Sequence, residues 1–144
     1  MNVLIREYCS NDFQGLIKLL DEVYGSKIDQ KTLEDNYISK YRNILIATTS
    51  LELIVGCAFV EVQEDLIRPR RIIYVTYVAV DERYRGLGIG KQIMTGVKDI
   101  CEKKHCSAIE LTSANYRTKA HLFYEALGFD KKQTTFFIKE IKEG

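Results

Sequence analysis

The sequence predicts a single α/β domain, and three observations carry that reading. Apolar runs of strand length alternate with segments whose apolar residues recur at helical spacing. At 144 residues the chain fits one domain and is long enough to bury a substantial core. No repeat, linker or low-complexity stretch divides it.

The elements follow in order. Val3 to Tyr8 alternates as a first strand. Ser10 or Asn11 can N-cap the next helix, whose apolar stripe is Phe13, Leu16, Ile17, Leu20 and Tyr24, and Gly25 ends it. Residues 29–41 carry a weaker helical pattern through Leu33, Tyr37, Ile38 and Tyr41. Asn43 to Thr48 and Leu53 to Gln63 read as strands joined near Ser50, with Gly56 marking a bulge or a close backbone contact. Asp65 to Arg71 is a turn holding Pro69 and clustering Arg68, Arg70 and Arg71. That cluster is either a solvated hairpin tip or a lip that recruits anions. Ile72 to Val80 is a buried strand rich in β-branched and aromatic residues. A helix then runs through Ile89, Ile93, Met94, Val97, Ile100 and Cys101 to Lys104. Ser107 to Thr112 is a further strand, and Lys119 to Leu127 a short helix closed by Gly128. Phe129 to Ile141 supplies one or two final strands.

Composition excludes several function classes. Lys and Arg number 21 against 20 Asp and Glu, a net charge of +1, which is no footprint for nucleic acid or an anionic membrane. No apolar run approaches the roughly 18 residues of a membrane span, and Met1-Asn2-Val3 opens no signal peptide. The expectation is a soluble cytoplasmic protein. Cys9, Cys57, Cys101 and Cys106 show no paired C-x-x-C spacing. Cys101, His105 and Cys106 gather at one helix end without the second half of a zinc pattern, so no metal is expected.

The chemistry concentrates in Val78-Ala79-Val80-Asp81-Glu82-Arg83-Tyr84-Arg85-Gly86-Leu87-Gly88-Ile89-Gly90-Lys91. A strand, a glycine-rich turn and a helix N-terminus follow one another. Glycines admit a ligand close to the backbone, and the first helical turn offers unpaired N–H groups and the positive dipole end. A dinucleotide-binding G-x-G-x-x-G would need a glycine at 91, where Lys91 stands. A Walker A loop would need a glycine at 85 and a hydroxyl residue at 92, where Arg85 and Gln92 stand. What remains is Arg-x-x-Gly-x-Gly on Arg85, Gly88 and Gly90, which resembles the acyl-CoA pyrophosphate loop of the GNAT superfamily of N-acetyltransferases.

A second stretch adds to the resemblance. Phe-Tyr-x-x-x-Gly-Phe, from Phe123 to Phe129, is similar to the family's later motif, in which a helix tyrosine stands beside the acetyl-CoA sulfur. By position that tyrosine is Tyr124. The family commonly has an asparagine seven residues earlier, bonding the cofactor arm. Here that position is Arg117, and Asn115 is the nearest asparagine, so both are candidates. Arg117, Ala120, His121, Phe123 and Tyr124 together resemble the aminoalkylphosphonate N-acetyltransferase branch. His121, whose neighbours Leu122 and Phe123 mark a buried helix, reads as a packing residue or as a support to the site from behind.

The resemblance implies a mixed, mostly antiparallel sheet with helices on both faces, splayed between the fourth and fifth strands to admit pantetheine. Backbone groups of Val78 and Val80 would pair with the cofactor amides. Amides of Arg85, Gly86, Leu87, Gly88, Ile89, Gly90 and Lys91 would hold the pyrophosphate. An N–H near Ala79 would stabilise the developing oxyanion, and Tyr124 would bond the departing thiolate. The implied activity is acetyl transfer from acetyl-CoA to a primary amine on a small molecule, by direct attack on the thioester. A protein lysine or N-terminal acetyltransferase and a non-catalytic acetyl-CoA-binding module are the alternatives. Where some family members place a glutamate base, this chain has Tyr74, Thr76 and Tyr77. Glu61, Glu64 and Glu110 are remote candidates, and no base is assigned. The expected partner is a small-molecule amine, with no nucleic acid and no membrane; homodimerisation stays open.

Overall fold

Five strands build one sheet in this computed structural model, which describes residues 1–142. β1 (Leu4–Glu7), β2 (Arg42–Thr48), β3 (Ile54–Asp65) and β4 (Arg70–Val80) form an antiparallel meander. β5 (Ala108–Leu111) then joins β4 in parallel. The order β1-β2-β3-β4-β5 is the predicted mixed sheet.

Helices cover both faces because β2 and β3 are apolar on both. α1 (Phe13–Tyr24) sets Phe13, Leu16 and Leu20 among Ile44, Ile46, Cys57, Phe59 and Ala79. The alternate residues turn toward α2 (Ile89–Lys103) on the other face. A Cβ on Gly56 would meet Ile93 Cδ1 at 2.8 Å and Ala79 O at 3.0 Å, so this glycine marks close approach. One bulge adjoins it, since Ala47 pairs with Gly56 and Thr48 with Ile54, passing over Val55; a second lies at Phe59/Val60.

Two element ends differ from expectation. The start of α1 is organised by Asp12 rather than by Ser10 or Asn11. Its carboxylate accepts from the Cys9 N–H (2.8 Å) and from both terminal nitrogens of Arg6 (2.7 Å each). An acid paired with arginine outcompetes a lone hydroxyl or amide for that place. The weaker helical pattern becomes a single π-helical turn, Thr32–Tyr37, whose Leu33 carbonyl accepts from the Ile38 N–H (3.0 Å).

Met1–Thr112 forms one compact unit and the chain from Ser113 onward a second. In the second, α3 (Thr118–Ala126) is followed by Gly128 at φ 93°. The final strands expected between Phe129 and Ile141 are absent from the described residues, where Phe136, Phe137 and Ile138 are exposed. β-Propensity acts through a paired, half-buried surface, and among the described residues no strand pairs with this segment.

Candidate active site

The centre of the site is the far half of β4. β5 pairs only with Ile72 to Val75, while β4 runs on to Val80. Among the described residues, Thr76 to Val80 therefore has no strand partner on its β5 side. The Asp81 N–H donates to Val55 O (2.8 Å), which sets the phase of the β3–β4 ladder. In that phase Tyr77 and Ala79 turn their backbone groups to β3, and Val78 and Val80 turn theirs to the open side. Side chains mark those carbonyls: the Tyr24 hydroxyl donates to Val78 O (3.1 Å), and Arg85 Nε lies 3.4 Å from Val80 O. Tyr24 is 44% exposed, outside the buried stripe to which its spacing assigned it.

The turn that follows keeps its helix end free. Asp81 is buried and accepts from the Arg83 N–H (3.0 Å), Nε (3.1 Å) and Nη2 (2.7 Å). The Arg83 guanidinium holds this carboxyl below the usual carboxylate range, against the opposing effect of burial. Gly86 at φ 77° and Gly88 at φ 81° then turn the chain into α2. Gly88 is the N-cap, and among the described residues no side-chain hydrogen bond caps this helix end. Arg85 and Lys91 are exposed and form no ion pair among the described residues. Free amides, a helix dipole and two unpaired cations suit a polyanion such as a pyrophosphate.

Beside this edge, on the α1 face, lie the rings of Tyr24, Tyr77, Phe59 and Tyr37. The remote carboxylates divide sharply. Glu64 is bound to Arg71, and Glu110 to Arg70 Nη2 (2.8 Å). Glu61 forms no ion pair among the described residues. Arg70 and Arg71 thus tie the hairpin to Glu110 and Glu64, while Arg68 forms no ion pair among the described residues.

In the second unit Tyr124 packs edge-on against Phe123 (5.2 Å) and Phe129 (5.7 Å). Burial pushes its phenol pKa up, and the charge of Arg117 works the other way. Asn115 and Arg117 are exposed, with the Arg117 amide donating to Ala114 O (3.0 Å). His121 Nε2 lies 2.9 Å from Ala114 O, a local polar contact; α3 has no buried residue and Leu122 is exposed, so the buried helix expected around His121 is not found. The candidates Val78 to Lys91 thus occupy one continuous strand, turn and helix, and Asn115, Arg117 and Tyr124 a second local group.

Reactive alternatives are few. All four cysteines are free, and burial pushes the Cys57 thiol up to about 12. Among the described residues no three His, Cys, Asp or Glu side chains gather as metal ligands would, and no helix is long and apolar enough to cross a membrane.

Comparison with known proteins gives concordant matches. The model of the acetyltransferase (GNAT) family matches residues 13–129. Human N-acetyltransferase 8B is 26% identical over 112 residues, which are 77% of this chain and 49% of that protein. Glucosamine 6-phosphate N-acetyltransferase of Trypanosoma brucei brucei is 36% identical over 77 residues, 53% of this chain and 50% of that one. The chain thus spans about half the length of these relatives. An aminoglycoside acetyltransferase from an uncultured soil metagenomic sample, solved in complex with sisomicin, superposes with TM-score 0.86. It is 22% identical and covers 97% of each chain, a likeness of fold.

Proposed function

Because the chain belongs to the acetyltransferase (GNAT) family, we propose that it transfers an acetyl group from acetyl-CoA to a primary amine on a small molecule. The observation that carries this reading is an unpaired strand edge running directly into an uncapped, glycine-turned helix N-terminus. The edge suits the amides of an extended arm, as an added strand suits a sheet edge, and the helix end suits a pyrophosphate.

Acetyl-CoA, when bound, supplies an activated acyl carbon and a thiolate leaving group. The residues do the rest. Val78 and Val80 present backbone groups to the cofactor arm. Because Ala79 faces β3, the donor expected near it falls to one of these two neighbours, where an N–H can meet the charge developing on the acyl oxygen. Gly86 to Lys91 hold the pyrophosphate, with Arg85 as the charged partner. The acceptor, with a pKa near 10.4 if it is lysine-like, must lose a proton before it attacks. Tyr124 holds its proton at neutral pH and donates a hydrogen bond to the departing sulfur. Asn115 or Arg117 contacts the cofactor arm.

Gly88→Val tests the loop. No atom lies within 4 Å of the added Cβ, so the protein should still fold, weakened by about 1–3 kcal/mol from the positive φ. Calorimetry should show acetyl-CoA binding lost, because the branched side chain blocks backbone approach. Unchanged affinity in the folded variant rejects the loop as the binding site. Thiol release from acetyl-CoA with amines and lysine peptides then separates small-molecule from protein acceptors.

A further inference from the structure

The rings on the α1 face make a continuous wall that begins at the open edge of β4. Tyr24 stands edge-on to Tyr77 (centroids 5.2 Å apart), Tyr77 edge-on to Phe59 (5.9 Å), and Phe59 leans on Tyr37 (5.6 Å). The Tyr24 hydroxyl on Val78 O pins one end of the wall where the acyl group would lie. At the other end is Glu61, on the face of β3 that carries Phe59. Ala58 is the register partner of Val78, so Glu61 stands three strand residues farther on, about 10 Å away.

That distal end carries an uncommitted negative charge. Arg42, the cross-strand neighbour of Glu61, directs Nε to Tyr37 O (3.1 Å) and Nη2 to Asn36 O (2.9 Å). From β4, Tyr74 faces Glu61 with its own hydroxyl 3.1 Å from that of Thr112. The Tyr37 hydroxyl is buried, beside Thr76 and within reach of the Glu61 charge.

We propose that the acceptor carries two positive charges: the reacting amine beside Val78 and a second ammonium on Glu61, with the connecting chain along the ring wall. This rests on the reading of Thr76 to Val80 as the acetyl-CoA edge. Aromatic faces attract cations and shelter methylenes, and the tyrosines of the wall offer both. An acceptor bearing phosphate or phosphonate would have to compete with the partners that Arg42, Arg70 and Arg71 already hold. The reacting nitrogen forms its bond to the acyl carbon as the carbon–sulfur bond breaks. Of the two protons that nitrogen sheds, one ends on the thiol and the other in solvent. The distal ammonium keeps its own.

Hexamethylenediamine, hexylamine and aminoethylphosphonate test this with one assay. Thiol-release kinetics should favour the diamine over hexylamine by roughly 10-fold in kcat/KM, the worth of a charge-assisted hydrogen bond, with the phosphonate poorest. Glu61→Gln should erase that preference by raising KM for the diamine, leaving kcat and the turnover of hexylamine nearly unchanged. Glu61→Asp should restore part of it. Calorimetry on the CoA-bound protein should show the same loss of diamine affinity, with acetyl-CoA affinity intact. Equal turnover of diamine and hexylamine by the wild type would overturn the proposal. So would a Glu61→Gln variant that keeps the preference, or one that loses kcat for both amines, which would make Glu61 the base. If acetyl-CoA itself fails to bind, the underlying reading of the site fails with it.

Discussion

Tyr124 is where a single hydroxyl decides between catalysis and packing. Burial raises its pKa, so at neutral pH the phenol is a hydrogen-bond donor and not a phenolate. Tyr124→Phe keeps the ring contacts with Phe123 and Phe129 and removes only that donor. If the hydroxyl acts on the leaving sulfur, kcat should fall on the order of 10²-fold while acetyl-CoA affinity holds. Single-turnover kinetics check this, and an unchanged chemical rate would leave the ring as core. Residues whose roles are set by their sequence neighbours were legible in the sequence. Gly88 is one: a turn into a helix demands its positive φ locally. Tyr24 was not legible, because its partner Val78 lies 54 residues away. Asp81 was equally silent. A lone acid after a strand gives no sign that Arg83 will fold back onto it.

At the scale of the element, the strand–turn–helix unit depends on that Asp81–Arg83 clamp. The Asp81 pKa is lowered in the folded chain, so its stabilisation is fully present above the unfolded value of about 3.9 and is lost as pH falls through the folded value. Asp81→Asn should therefore lower stability at neutral pH and flatten the acid limb of the stability curve. The neutral-pH loss should be modest, because Arg83 is 66% exposed and water screens the pair. Urea midpoints measured from pH 7 down to pH 3 would show it; parallel curves for the two proteins would mean the clamp contributes nothing. Element types were read correctly wherever periodicity ran long, as in α2 and in β2 to β4. Ends were less legible, because the Asp12–Arg6 pair that starts α1 joins a turn to a separate strand. The expected final strands show the other limit: Phe136 to Ile138 have strand-like composition, and no paired edge to make them one.

The whole molecule turns on a mismatch of length. β4 has eleven residues and its parallel neighbour β5 four, so the sheet carries an unfinished border in its interior order. Sequence periodicity placed both strands, but the register that leaves Thr76 to Val80 uncovered is set by pairing and could be anticipated only through family resemblance. An unfinished border serves any extended chain, including that of another protein molecule, and is thus a seed for aggregation. The Tyr24 hydroxyl on Val78 O occupies one of its few acceptors, so Tyr24→Phe should self-associate faster than wild type when no cofactor is present. Light scattering during storage would register the difference, and saturating acetyl-CoA should abolish it in both proteins, since a ligand that binds only the monomeric native state protects it by mass action. If acetyl-CoA binds along that border as proposed, the same gap would also set the shelf life of the unliganded protein, and cofactor supply would act as its chaperone.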